Sequence, residues 1–201
     1  MENKNNFLYG DRELNYLKSR DKKLGLVIDK LGMLKREIRS DKFESLVMSI
    51  VSQQLSSKAA DSIWMRLEEK YSAISAEILA DADLNDLRQC GMSIRKAGYV
   101  QALAIEIMSG SLNFGEFASM SDENIIAKLS SLPGIGVWTA EMFLIFSMCR
   151  MDIVSFGDLA IRRGMMNLYG LKELTKEQFE KYRKRYSPCG TVASFYIWAL
   201  S

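Results

Sequence analysis

The sequence predicts an all-α protein, and three observations carry that prediction. Apolar residues recur at spacings of three and four along most of the chain, period-two alternation is missing, and only two prolines occur. Glycines and serines break the helical stripes at short intervals, which implies about ten to twelve helices joined by short loops. At 201 residues, 48% of them hydrophobic, the chain has ample core for one domain or two small ones.

Taken in order, residues 11–19 and 22–31 read as two short helices, the second ended by Gly32. Phe43, Leu46, Val47, Ile50, Val51 and Leu55 make the apolar stripe of a helix of about three turns. Ser56 or Ser57 restarts a helix whose stripe is Ala60, Ile63, Trp64, Leu67 and Tyr71. Short helices follow near 75–80 and 83–89, the latter closed by Gly91. Ala97, Val100, Ala104, Ile107 and Met108 mark another, which Gly110 ends. Ser121 caps a helix running to Ser131, with Asp122 and Glu123 at its positive end and Ile125, Ile126 and Leu129 on one face. From 137 to 149 the sequence is apolar on every side except Glu141 and Ser147, so a buried helix is expected. Three last helices are expected over 158–169, 176–186 and 189–200. In the final one, Val192, Phe195, Tyr196, Ala199 and Leu200 form the stripe and Trp198 points away from it.

Composition excludes several chemistries. The chain has no histidine, which rules out Ser-His-Asp and Cys-His mechanisms and any histidine-based metal site. Acid–base work is left to carboxylates, lysine, tyrosine or cysteine. Cys90, Cys149 and Cys189 are scattered and without metal spacing, which fits a reduced, cytoplasmic setting. No apolar run approaches a membrane span, so no membrane contact is expected, and residues 1–6 contain no signal-peptide core. A net charge of +2 permits nucleic-acid binding without requiring it.

The most informative stretch is Leu132-Pro133-Gly134-Ile135-Gly136-Val137-Trp138-Thr139-Ala140, followed about twenty residues later by Phe156-Gly157-Asp158. Pro133 and Gly134 stop one helix, and Gly136 lets the backbone turn tightly into the next. Backbone amides from Gly134 through Trp138 then lie at a helix start, where they can bind a phosphate.

This pattern and spacing resemble the helix-hairpin-helix (HhH-GPD) DNA glycosylases, and most of all their alkylpurine, DNA-3-methyladenine glycosylase II branch. The similarity runs from roughly residue 20 onward. It includes residues 49–60, Ser-Ile-Val-Ser-Gln-Gln-Leu-Ser-Ser-Lys-Ala-Ala, and Gly91-Met92-Ser93-Ile94-Arg95-Lys96-Ala97. The resemblance implies a single glycosylase unit over 1–201 of two helical lobes with a DNA cleft between them. Residues 40–140 would form the central lobe, ending in the helix-hairpin-helix of 121–149 overall, and 1–39 plus 141–201 the second lobe. Its implied activity is base excision repair of damaged double-stranded DNA by a monomer. The chain would hydrolyse the N-glycosidic bond of an alkylated purine such as 3-methyladenine and leave an abasic site.

Asp158 is the expected catalytic residue. By itself Gly157-Asp158-Leu159-Ala160-Ile161 reads as a helix start with Asp158 as its cap, and the two roles are compatible. A rigidly held carboxylate can stabilise the positive charge that builds on the sugar, or orient the attacking water. Asp152 reads as a surface-loop residue. Strand-cutting relatives carry a Schiff-base lysine where this chain has Trp138, so the resemblance implies a monofunctional enzyme. Trp138 and Trp198 would wall a pocket for a cationic base, with Met142 at the next pocket position where some relatives have tyrosine. Core packing is the competing role for both indoles. Gly134, Ile135, Gly136 and Val137 would grip the DNA backbone. One of Gln53, Gln54 and Leu55 would fill the gap left by the flipped base, the glutamines ranking first because Leu55 is in phase with Val51. Arg95, Lys96 and Arg162 would contact phosphates. No cofactor is expected to be required. The resemblance adds a monovalent cation, Na+ or K+, on the carbonyls of Ser130, Leu132 and Ile135, and excludes an iron–sulfur cluster, since Cys189 stands alone. Two alternatives stay open: a glycosylase for another damaged base, and a non-catalytic helix-hairpin-helix DNA-binding protein.

Overall fold

The computed structural model describes residues 6–201; residues 1–5, most of the stretch without a signal-peptide core, lie outside the described residues. The first helices are α1 (Asp11–Arg20), α2 (Lys22–Leu31), α3 (Lys42–Ser52), α4 (Ser57–Lys70), α5 (Ala76–Ala80), α6 (Leu84–Gln89) and α7 (Ile94–Met108). After a 3-10 turn at Glu116–Ala118 come α8 (Asp122–Ser130), α9 (Val137–Phe146), α10 (Leu159–Tyr169), α11 (Lys176–Tyr186) and α12 (Gly190–Trp198). Among the described residues there is no strand, only an isolated antiparallel bridge between Asn6 and Glu37. The class is all-α. None of these helices is long and apolar enough to cross a membrane.

The helices begin where short polar side chains can satisfy their first amides. Asp21, Asp41, Ser56, Ser75, Asp83, Ser93, Ser121, Asp158 and Thr175 each accept from an amide in the turn that follows. The chain divides into two compact units: Ser40–Phe143, and Met1–Arg39 with Leu144–Ser201. In the first, α7 packs against α3, α5 and α6 and buries Ala97, Val100, Leu103 and Ala104. Gln101 ties α7 to the end of α5, its Nε2 donating to the carbonyls of Ala80 at 3.2 Å and Ala82 at 2.8 Å.

In the second unit α12 packs against α1, α2, α10 and α11. Every residue from Gly190 to Ile197 is buried, so the expected one-sided stripe is corrected: this helix is enclosed all round, and Ala199 is exposed. Its hydroxyls are satisfied internally. Thr191 Oγ1 donates to the Arg150 carbonyl at 2.6 Å and accepts from Ile153 N at 3.0 Å. Asp152 lies in a loop, as expected, but is half-buried there. Its Oδ2 accepts from Ser187 Oγ at 2.5 Å and its Oδ1 from Gly190 N at 3.0 Å, so it fixes the start of α12 and is no loose surface residue.

The helix expected over 137–149 is shorter and less buried than its composition implies. It ends at Phe146, and Cys149 takes a left-handed φ of 54°. Ala140, Phe143, Leu144 and Ile145 are buried, but Val137 is 55% and Trp138 49% exposed. The first turn of α9 therefore stands clear of the core in its own unit.

Candidate nucleic-acid interface and catalytic carboxylate

The hairpin is assembled in the unit Ser40–Phe143. After α8, Leu132 N donates to the Leu129 carbonyl and Ile135 N to the Leu132 carbonyl, at 3.1 and 3.2 Å. Gly134 sits at φ +83°, and a Cβ added there would overlap the ring of Tyr99 on α7. Only glycine meets both demands. Ile135 is buried and anchors the hairpin through its side chain, so whatever it offers DNA comes from its backbone. The first intrahelical bond of α9 runs from Ala140 N to the Gly136 carbonyl at 3.0 Å. The amides of Gly136 and Val137 form the positive end of that helix, a setting that suits phosphate.

Beside the hairpin lies the turn between α3 and α4. Helix α3 stops at Ser52, and Gln54 takes a left-handed φ of 55°, which breaks the register that placed Leu55 in phase with Val51. Leu55 is 41% exposed in that turn, so its expected alternative as a core residue is corrected. Gln54 is exposed too, whereas Gln53 is half-buried and its Nε2 donates to the Gly134 carbonyl at 2.6 Å. Lys96 also departs from expectation. Its half-buried Nζ donates to the carbonyls of Val51 and Gln53, both at 2.7 Å, so two of its three donors serve the C-terminus of α3 instead of a phosphate. Burial, and then the charge of Arg95, push its pKa below the usual lysine value. Arg95 itself is exposed. The structure thus gathers Gln53, Lys96 and Gly134 into one cluster, and adds Tyr99, which sequence reading passed over. Its position one helical turn after Lys96 was the available signal.

In the other unit, Asp158 is the N-cap of α10. It is 8% exposed and its Oδ1 accepts from Ile161 N at 2.9 Å. The carboxylate is therefore aimed by the helix it caps. Arg162, one turn on, is half-buried with its guanidinium 5.5 Å above the ring of Phe156. Arg163 is the more exposed of the pair. Trp198, at the end of α12, is half-buried and stacks on Phe146 at 5.9 Å and Phe195 at 6.2 Å between centroids. These contacts hold the indole in a fixed plane. Met142 is half-buried one turn after Trp138 on α9, which places the two on one helix face.

Among the described residues no three His, Cys, Asp or Glu side chains gather as metal ligands, and the three cysteines are free. The carbonyls of Ser130 and Leu132 lie at the negative end of α8, and hard oxygen donors there suit an alkali cation.

The family description "HhH-GPD superfamily base excision DNA repair protein" matches residues 47–189. DNA-3-methyladenine glycosylase 1 of Schizosaccharomyces pombe is 35% identical over 168 residues, covering 81% of this chain and 74% of that protein. The crystal structure of a DNA-3-methyladenine glycosidase from Bacillus halodurans is similar at 36% identity with a TM-score of 0.87, over 96% of this chain and 91% of that one. A 3-methyladenine DNA glycosylase of Schizosaccharomyces pombe, solved in complex with abasic DNA, gives a TM-score of 0.81 at 32% identity, over 93% and 95%. A glycine-cornered hairpin opening a helix, a capped aspartate about twenty residues on, and a match spanning most of the chain together place this protein in the HhH-GPD superfamily of base excision DNA repair proteins.

Proposed function

We propose that this chain is a monofunctional DNA glycosylase that hydrolyses the N-glycosidic bond of alkylated purines, 3-methyladenine foremost, and leaves an abasic site in duplex DNA. The observation that carries this is the seating of Asp158, a nearly buried carboxylate locked as the cap of α10 in a chain of this family. Departure of the base leaves positive charge on the sugar, and a preorganised carboxylate stabilises it without reorganising during the reaction. The same group can orient the attacking water. An alkylated purine is cationic and leaves readily, so no acid is needed to protonate it. That suits a protein without histidine. Trp138 and Met142, on one face of α9, offer a ring face and a polarisable thioether to such a base. An indole cannot form a Schiff base, so Trp138 leaves the strand uncut.

Gly134, Gly136 and Val137 present the open end of α9 to a phosphate, with Arg95 as an accessory contact. A monovalent cation held by the carbonyls of Ser130, Leu132 and Ile135 would place positive charge beside that phosphate.

Release of free base from methylated duplex DNA tests the proposal, comparing wild type with Asp158→Asn. Asparagine caps a helix nearly as well as aspartate, so the fold survives while the charge is lost. Release of methylated adenine should fall by about 10²–10³-fold, and alkali should be needed to break the strand at the abasic sites that wild type leaves. Equal release by both proteins would remove Asp158 from the chemistry. Wild-type release of other damaged bases alone would redirect the substrate assignment.

A further inference from the structure

Three segments of the unit Ser40–Phe143 meet through side-chain bonds to backbone carbonyls. Lys96, in the first turn of α7, donates to the carbonyls of Val51 and Gln53. Gln53, at the C-cap of α3, donates through its side chain to the carbonyl of Gly134. Tyr99, also on α7, fills the space beside Gly134. The turn that exposes Gln54 and Leu55 is thereby fastened to the hairpin whose amides open α9. The bond polarity is unambiguous, because a carbonyl accepts and only the NH2 side of the Gln53 amide donates.

We propose that Gln53 and Lys96 are positioning residues that join the phosphate-gripping hairpin to the Leu55 turn as one rigid body. Phosphate capture at the hairpin then sets the register of Leu55 against the base stack. This rests on the glycosylase reading above and deepens it. The physical need is clear. With Gln53 bonded to Gly134, the exposed apolar Leu55 is the side chain of that turn suited to wedge into a base stack. The hairpin grips the backbone whatever the base, whereas a wedge that must unstack bases works only from a support that does not yield. Gln54 is held at a left-handed φ that asparagine or glycine would adopt more readily, so the turn is not relaxed by itself and depends on its flanking bonds. The Gly134 peptide carries the coupling: its carbonyl is turned toward Gln53, which orients the plane leading to the Gly136 and Val137 amides.

Three variants test this. Gln53→Met keeps the size and removes the donor. Gln53→Glu keeps the shape and turns a carboxylate on a carbonyl. Lys96→Arg retains a cationic donor and should rescue what Lys96→Met loses. At saturating enzyme, base release by Gln53→Met and Lys96→Met should slow by about ten- to a hundredfold, with duplex affinity changed by less than about threefold. Gln53→Glu should be at least as slow as Gln53→Met. The Gln53→Met, Lys96→Met pair should be no slower than its slower member, as expected for two links of one chain. A fluorescent adenine analogue at the lesion site should report less unstacking in each slow variant. Hydrogen exchange in free protein gives a readout independent of turnover. Gln53→Met should speed exchange at the amides of Leu55 and Ile135 together, each bonded to the carbonyl three residues before it, while Gln101→Met, which frees carbonyls of Ala80 and Ala82, should leave those amides unchanged. Wild-type release rates in the Gln53 variants, or exchange rising in only one of the two segments, would overturn the proposal. Absence of base release by wild type itself would sink the glycosylase reading, and the exchange experiment would still decide the tether.

Discussion

Asp21 is a buried carboxylate that gathers four hydrogen bonds. It is 4% exposed, yet its two oxygens accept from Lys23 N and Leu24 N at 3.1 Å each, from Tyr169 OH at 2.7 Å and from Arg185 Nη1 at 3.1 Å. Tyr169 also meets the hydroxyl of Tyr186 at 2.5 Å. Burial, and then the neighbouring Tyr186, push the Tyr169 phenol far above the usual tyrosine value, and burial does the same for Tyr186. The sign follows from linkage. A raised folded pKa means that the fold holds its proton while the unfolded chain ionises, so stability is intact below the ordinary tyrosine range and is lost as pH climbs beyond it. The urea midpoint should therefore fall between about pH 9 and about pH 11. In the Tyr169→Phe, Tyr186→Phe double variant that fall should be shallower; an equally steep decline would show that these phenols do not govern alkaline unfolding.

At the level of elements, two glycines let helices and turns approach where any side chain would intrude. Gly134 combines a positive φ with the Tyr99 ring behind it. Gly164 on α10 faces the Ile197 carbonyl of α12, which a Cβ would overlap. The two substitutions should separate cleanly. Gly164→Ala should lower stability by about 1–3 kcal/mol, read from urea unfolding, because the α10–α12 contact must open. Gly134→Ala should cost duplex affinity by about tenfold or more through loss of the hairpin geometry, measured by fluorescence anisotropy. Tight duplex binding by Gly134→Ala would mean that the hairpin amides do not carry the grip.

For the whole molecule, 27 basic residues against 25 acidic ones leave a net charge of only +2. A general field cannot hold DNA at that charge, so affinity has to come from a few local contacts. The plot of log affinity against log salt should accordingly be shallow, with a slope near about −2 to −4. A slope steeper than about −6 would point to an extended basic track. Arg95→Ala should reduce the slope by about one, whereas Lys96→Met should leave it nearly unchanged because its ammonium is bonded to protein carbonyls.

The local chemistry of this chain was legible in its sequence. Helix caps, the stop at Pro133-Gly134, the glycine corner at Gly136 and the cap position of Asp158 all depend on groups within one turn of each other, which is the range that periodicity and capping rules cover. The all-α class followed for the same reason. Tertiary structure alone decided where polar side chains spend their hydrogen bonds. Gln53 finds Gly134 across 81 residues, and Lys96 reaches back 43 and 45 residues to cap α3. Neither bond leaves a mark on local spacing, so a lysine in a basic pair read as a phosphate contact. The bonds of Asp152 were hidden likewise, since Ser187 and Gly190 become its neighbours only when the chain folds back after α10 and α11. Leu55 looked like core because one left-handed residue, Gln54, was enough to turn an apolar stripe outward. Sequence fixes what each residue can do within a turn of the backbone; the fold selects which distant partner satisfies it, because unpaired donors and acceptors in the interior are too costly to leave to chance.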